Sequence, residues 1–113
     1  MGYRSHVLLG VEEPLVASLL TALSQSTEAF DLLFKSAEVT KEEDGSLLFN
    51  LDYIKWYDSF KCVQTIVDWM DECDEHDNED YLFHRLGEEF GDYEERGCSS
   101  RWSIYPNQYL EVS

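Results

Sequence analysis

From Tyr3 to Val11 the side chains alternate. Tyr3, Ser5, Val7, Leu9 and Val11 fall on one side, and Arg4, His6, Leu8 and Gly10 on the other. A period of two predicts a strand. Glu12, Glu13 and Pro14 then predict a helix start, with proline near the first helical position and acids by the positive end of the dipole. Leu15, Val16, Leu19, Leu20 and Leu23 recur at helical spacing and leave Ser18, Thr21 and Ala22 outward. Ser24 to Thr27 is read as the end of that helix or the start of a short second turn.

The run from Leu32 to Val39 is assigned mostly to strand, because Glu42-Glu43-Asp44-Gly45 follows and Asp-Gly between apolar runs predicts a hairpin. Its return strand runs from Ser46 to about Ile54. Lys61 to Glu75 is the clearest helix. Cys62, Val63, Ile66, Val67, Met70 and Cys73 form its apolar stripe, with Gln64, Asp68, Asp71, Glu72 and Glu75 opposite. Asp58 or Ser59 is the expected cap of that helix. A loop at His76 to Asp80 follows, then a strand from Tyr81 to about Phe90 and a last strand from Trp102 to Val112. Pro106 removes a backbone donor from the last strand and places it at an edge. The expected fold is one α+β domain over residues 1–113: an antiparallel sheet of four to five strands with two helices on one face, close to a ferredoxin-like βαββαβ arrangement plus an extra strand.

Composition fits a folded domain rather than an acidic tail, with 43% hydrophobic and 14% aromatic residues. The longest apolar runs are far short of the ~20 residues that span a bilayer, and Arg4 and His6 interrupt any apolar signal core. Gly2 lacks the downstream Ser/Thr of a myristoylation site. The expectation is a cytoplasmic protein that makes no membrane contact. Cys62 and Cys73 are eleven residues apart on one helix, roughly 16 Å, too far for a disulfide. Cys98 falls in a loop between Gly97 and Ser99, with no neighbouring base to mark it as a nucleophile.

Charge changes the picture most. Asp58 to Glu95 holds fourteen acidic residues against Lys61 and Arg85, a net −12 of the chain's −16. Solubility needs a magnitude of only about 2 to 8. Acids crowd the last turn of the Lys61–Glu75 helix, where the dipole is already negative, and Asp68–Glu72 and Asp71–Glu75 are like-charge neighbours. Local rules broken together mark functional surfaces. The candidate partner-binding residues are Asp68, Asp71, Glu72, Glu75, Asp77, Glu79, Asp80, Glu88, Glu89 and Asp92, against the plainer reading of a solvated face. Carboxylates 5–6 Å apart approach the charge density of a phosphate backbone, so the expected partner is a basic nucleic-acid-binding protein, and direct contact with nucleic acid is not expected.

Other chemistry is weaker. Cys73, His76, Asp77, Asp80 and His84 match no zinc spacing, and the acidic loop lacks the glycine and terminal glutamate of an EF-hand. No metal or cofactor is expected. Ser5 and His6 point to opposite faces of a strand, and no phosphate loop or nucleophile elbow is present, so the chain is not expected to be an enzyme. In the aromatic cluster Tyr53, Trp56, Tyr57 and Phe60, Trp56 and Phe60 are read chiefly as core, and Tyr57, with Trp102, is a candidate interface contact.

Three blocks carry a resemblance: Met1-Gly2-Tyr3-Arg4-Ser5, the stretch from Asp52 through Lys55-Trp56-Tyr57-Asp58-Ser59 to Phe60, and Phe83-His84-Arg85-Leu86-Gly87-Glu88-Glu89-Phe90-Gly91-Asp92. The chain resembles a set of small bacteriophage proteins with an MGYRS-like start, a K-W-Y-[DE]-S block and an R-[IL]-G-E-E block, over nearly its whole length. The resemblance implies a viral product acting in the host cytoplasm. Small acidic phage proteins are often inhibitors of host machinery or of defence systems, including DNA mimics of the anti-restriction and anti-CRISPR type. It carries over no catalytic or binding residue. The alternative is a homo-oligomeric assembly or ligand-sequestering protein, paired through the edge strand from Trp102 to Val112.

Overall fold

The computed structural model describes residues 3–76, 80–89 and 91–97. The chain begins with β1 (Ser5–Val11), then α1 (Glu13–Leu23) and the short α2 (Thr27–Asp31). A single π-helical turn, Leu32–Ser36, leads into β2 (Glu38–Lys41) and its hairpin partner β3 (Leu47–Ile54). The second half is α3 (Lys61–Glu75), β4 (Tyr81–Gly87) and β5 (Tyr93–Gly97).

The fold is α+β, a five-stranded sheet in the order β2-β3-β1-β4-β5 with every neighbouring pair antiparallel. Two strands that are each antiparallel to a third are parallel to one another. β1 and β2 are therefore parallel across β3, and β3 and β4 are parallel across β1. A helical connection makes each of those two crossovers. Alternation decides which side of the sheet the helices cover. Val7, Leu9 and Val11 of β1, Phe49 and Leu51 of β3, and Tyr81 and Phe83 of β4 point into one core with Leu15, Leu19 and Leu23 of α1 and the apolar stripe of α3.

Among the described residues three α-helices are present where two were expected. Leu32–Ser36 continues the α2 helix as a π-helical turn closed by Ala37 N–H on the Leu32 carbonyl (3.1 Å), and the strand starts only at Glu38. A short apolar run satisfies either period. Here Leu33 is fully buried in the core, while Phe34 stacks on Phe30 (4.8 Å) and meets Phe49 edge-on (5.2 Å). The Ser26 side chain caps α2 by accepting from Ala29 N–H.

Smaller corrections follow from packing. Leu20 is exposed and Ala22 packs against the core, the reverse of the expected α1 stripe. α3 has neither Asp58 nor Ser59 as its cap: Phe60 holds that position and makes no side-chain cap bond. β4 ends at Gly87, and β5 is a strand that the sequence reading lacked altogether. The expected last strand, from Trp102 to Val112, lies outside the described residues. No helix among the described residues is long and apolar enough to cross a membrane.

Candidate functional site: the acidic surface of α3 and the β4–β5 edge

α3 lays Val63, Ile66, Trp69, Met70 and Cys73 into the core and turns Asp68, Asp71, Glu72 and Glu75 to solvent. Its C-terminal end is fixed to the sheet by two contacts. The Tyr81 hydroxyl donates to Asp74 Oδ1 at 2.6 Å. Arg96, on the helix-facing side of β5, bridges Asp71 Oδ1 (2.8 Å) and Asp74 Oδ2 (2.7 Å) from one Nη2. Burial of Asp74 works against its charge, but the Tyr81 hydroxyl and Arg96 outweigh it and hold the carboxyl below its ordinary range. Burial, then the bond to Asp74, pushes the Tyr81 phenol up. Burial alone is the main reason that the Cys73 thiol is raised to about 11, which makes it a packing residue rather than a nucleophile.

A second network closes the other end of the β4–β5 hairpin. Arg85 Nη2 meets Asp92 Oδ1 at 3.0 Å and Arg85 Nε meets Glu94 Oε1 at 3.0 Å, while Nη1 donates to Ser5 Oγ at 3.2 Å. The Tyr3 hydroxyl donates to Asp92 Oδ2 and accepts from Glu89 N–H. Arg85, then Tyr3, holds the Asp92 carboxyl below its ordinary range.

The expected site residues therefore separate into two groups. Asp68, Asp71, Glu72 and Glu75 lie on α3, with Asp80 at the entry to β4, where its carbonyl accepts from Glu12 N–H (2.8 Å). Glu88, Glu89 and Asp92 lie beyond the far end of β4, roughly 20 Å away at ~3.3 Å per residue. Glu88 accepts from Arg4 N–H at 3.0 Å. Asp77 and Glu79 are outside the described residues. Asp71 and Asp92 are neutralised by arginines, whereas Asp68, Glu72 and Glu75 make no ion pair among the described residues. Asp68 accepts only a bond from Gln64 (2.7 Å).

Sequence reasoning missed Arg96, which stands one residue beyond the acidic window and supplies the counter-charge to Asp71 and Asp74. It also missed two pairs on the helix-free side of the sheet. His6 Nδ1 lies 3.2 Å from Asp52 Oδ1, at ion-pair distance but without hydrogen-bond alignment, and His84 Nε2 lies 3.5 Å from Glu95 Oε2. Both depend on strand register, which composition does not carry. Among the described residues no cluster of three or more metal-ligating side chains forms. Comparison with known proteins finds no matching family model, no matching curated protein and no matching solved structure.

Acid should weaken both networks. Asp74 and Asp92 titrate below the unfolded value of about 3.9, so the stability they add is present above that pH and lost as pH falls through their folded values. The urea midpoint is expected to drop between about pH 5 and pH 3. Arg96→Met should flatten part of that drop, and an unchanged pH profile in the variant would remove Arg96 as the cause.

Proposed function

We propose that this chain is a non-enzymatic bacteriophage protein that acts in the host cytoplasm by occupying a basic, nucleic-acid-binding surface of a host or defence protein. The observation that carries this reading is the outer stripe of α3. Asp68, Glu72 and Glu75 stay exposed and, among the described residues, uncompensated even though Arg96 is close enough to neutralise Asp71 and Asp74. Asp68 and Glu75 are seven positions apart, about 10.5 Å of helix at 1.5 Å per residue. Repulsion among them costs helix stability, and a cationic partner would relieve it. Such an encounter is fast and salt-sensitive. The two split crossovers support a finer placing of the scaffold as a ferredoxin-like βαββαβ unit with β5 added at the edge.

The test is a charge reversal with a matched control. Asp68→Lys, Glu72→Lys and Glu75→Lys together should abolish capture of a host protein from bacterial lysate while leaving the circular dichroism spectrum folded. In the wild type, duplex DNA and raised salt should both release that protein. Reversing Glu28, Glu38 and Glu43, which are exposed elsewhere, changes net charge equally and should leave capture intact. Equal loss in both variants would mean that net charge, not this stripe, does the binding. Retention by the first variant, or capture that ignores salt, would refute the reading.

A further inference from the structure

The side of the sheet away from the helices carries a buried base that the acidic surface does not use. On one row of this face the register sets Leu8 of β1 beside His84 of β4, and His84 beside Glu95 of β5. His84 is only 4% exposed. Its Nε2 faces Glu95 at 3.5 Å, and its Nδ1 is fully buried with no hydrogen-bond partner among the described residues. A neutral ring protonated at Nε2 donates towards Glu95 and leaves a single lone pair unsatisfied. A second proton turns Nδ1 into a buried donor without an acceptor and puts a whole charge beside Leu8.

Among the described residues, the other titratable or charged groups on this face are His6 of β1, with Asp52 of β3 against it, Glu38 of β2, Tyr93 of β5, and Arg4 just before β1, which lies over the Tyr53 ring of β3. Among the described residues Glu95 is the one carboxylate in contact with His84, and its side chain is half exposed, so its attraction is screened. Burial, opposed by Glu95, accordingly lowers the His84 pKa from about 6.5.

β5 is the element best placed to respond. Among the described residues it is an edge strand with one neighbour, and most of its residues are exposed. Weakly buried edges open at lower free energy than the core. We propose that His84 is a proton-operated latch on β5: neutral, it seats the strand on β4 beneath Glu95; protonated, it leaves the face together with Glu95 and lets β5 part from β4. Because β5 also carries Arg96, opening removes the counter-charge from Asp71 and Asp74 on α3. On the helix-facing side the Arg85–Glu94 ion pair restrains the hairpin end while the rest of β5 opens.

Residue-resolved amide exchange on the full chain, from about pH 7.5 to pH 5 and corrected for intrinsic exchange chemistry, tests the latch. Opening of β5 amides should rise about tenfold for each pH unit below 6.5 until His84 itself is protonated in the fold, while β3 amides respond far less. His84→Phe should flatten the β5 response, and His84→Gln serves the same purpose if the phenylalanine variant does not fold. His6→Gln should keep the response. An equal pH response in the His84 variants, or wild-type His84 titrating at or above 6.5 by NMR, would overturn the proposal.

Discussion

Trp69→Ala is expected to lower the unfolding free energy by about 3 to 5 kcal/mol. The indole is 2% exposed, and its ring meets Tyr81 edge-on at 5.5 Å. Its Nε1 donates to Ser18 Oγ at 3.0 Å, so one side chain joins α3 to both α1 and β4. Truncation removes the largest apolar surface on α3 and leaves a void that the helices cannot collapse around without losing their seat on the sheet. Ser18 is exposed and turns to water, so the loss is packing rather than an orphaned hydroxyl. Trp69→Phe keeps an aromatic ring and loses the donor, and should cost about 1 to 2 kcal/mol. Natural domains of this kind are stable by only about 5–15 kcal/mol, so the alanine variant should sit near its unfolding midpoint in mild urea. Urea denaturation followed by circular dichroism gives the answer. A loss below about 1 kcal/mol would show that Trp69 does not hold the two layers together.

Backbone period makes burial legible in the sequence, and packing partners lie beyond it. Strand alternation in β1 and the apolar stripe of α3 were readable because each follows its own backbone period, and the Asp44-Gly45 turn carried its own signature. Trp69 fits the same stripe, three residues after Ile66 and four before Cys73, so the helical period places it in the core although the sequence reading left it out. What the period does not give is its partners, Tyr81 of β4 and Ser18 of α1. The Leu32–Ser36 turn was misread because a short apolar run fits strand and helix equally, and Leu33 and Phe34 settle the matter by what they pack against. β5 was invisible because Tyr93-Glu94-Glu95-Arg96-Gly97 has no apolar alternation. Register with β4, not hydrophobicity, makes it a strand, with Arg85–Glu94 and His84–Glu95 as cross-strand pairs. The acidic surface was legible as a quantity of charge. Its division into neutralised and uncompensated carboxylates was not, since that depends on where Arg85 and Arg96 point.

Gly97→Ala should be the most damaging conservative change on the β4–β5 edge, at about 2 to 5 kcal/mol, the sum of roughly 1–2 for a left-handed backbone and 1–3 for overpacking. Gly97 has φ +80°, and a Cβ there would stand 2.2 Å from the Tyr81 carbonyl oxygen and 2.9 Å from its carbon. Those atoms are backbone at the entry of β4, so no side-chain rotation relieves the overlap. The end of β5 must lift from Leu82, its register partner, and Arg96 beside it must leave Asp71 and Asp74. Gly91→Ala separates the two contributions. Its φ is +82°, nearly the same, but a Cβ at that turn meets nothing within 4 Å. It should cost only the backbone share, about 1–2 kcal/mol. Urea midpoints of the two variants measure the difference, and amide exchange locates it: Gly97→Ala should deprotect the Arg96 end of β5, whereas Gly91→Ala should leave that end protected. Equal losses in both variants would mean that the close approach of Gly97 to Tyr81 does not fix the edge strand.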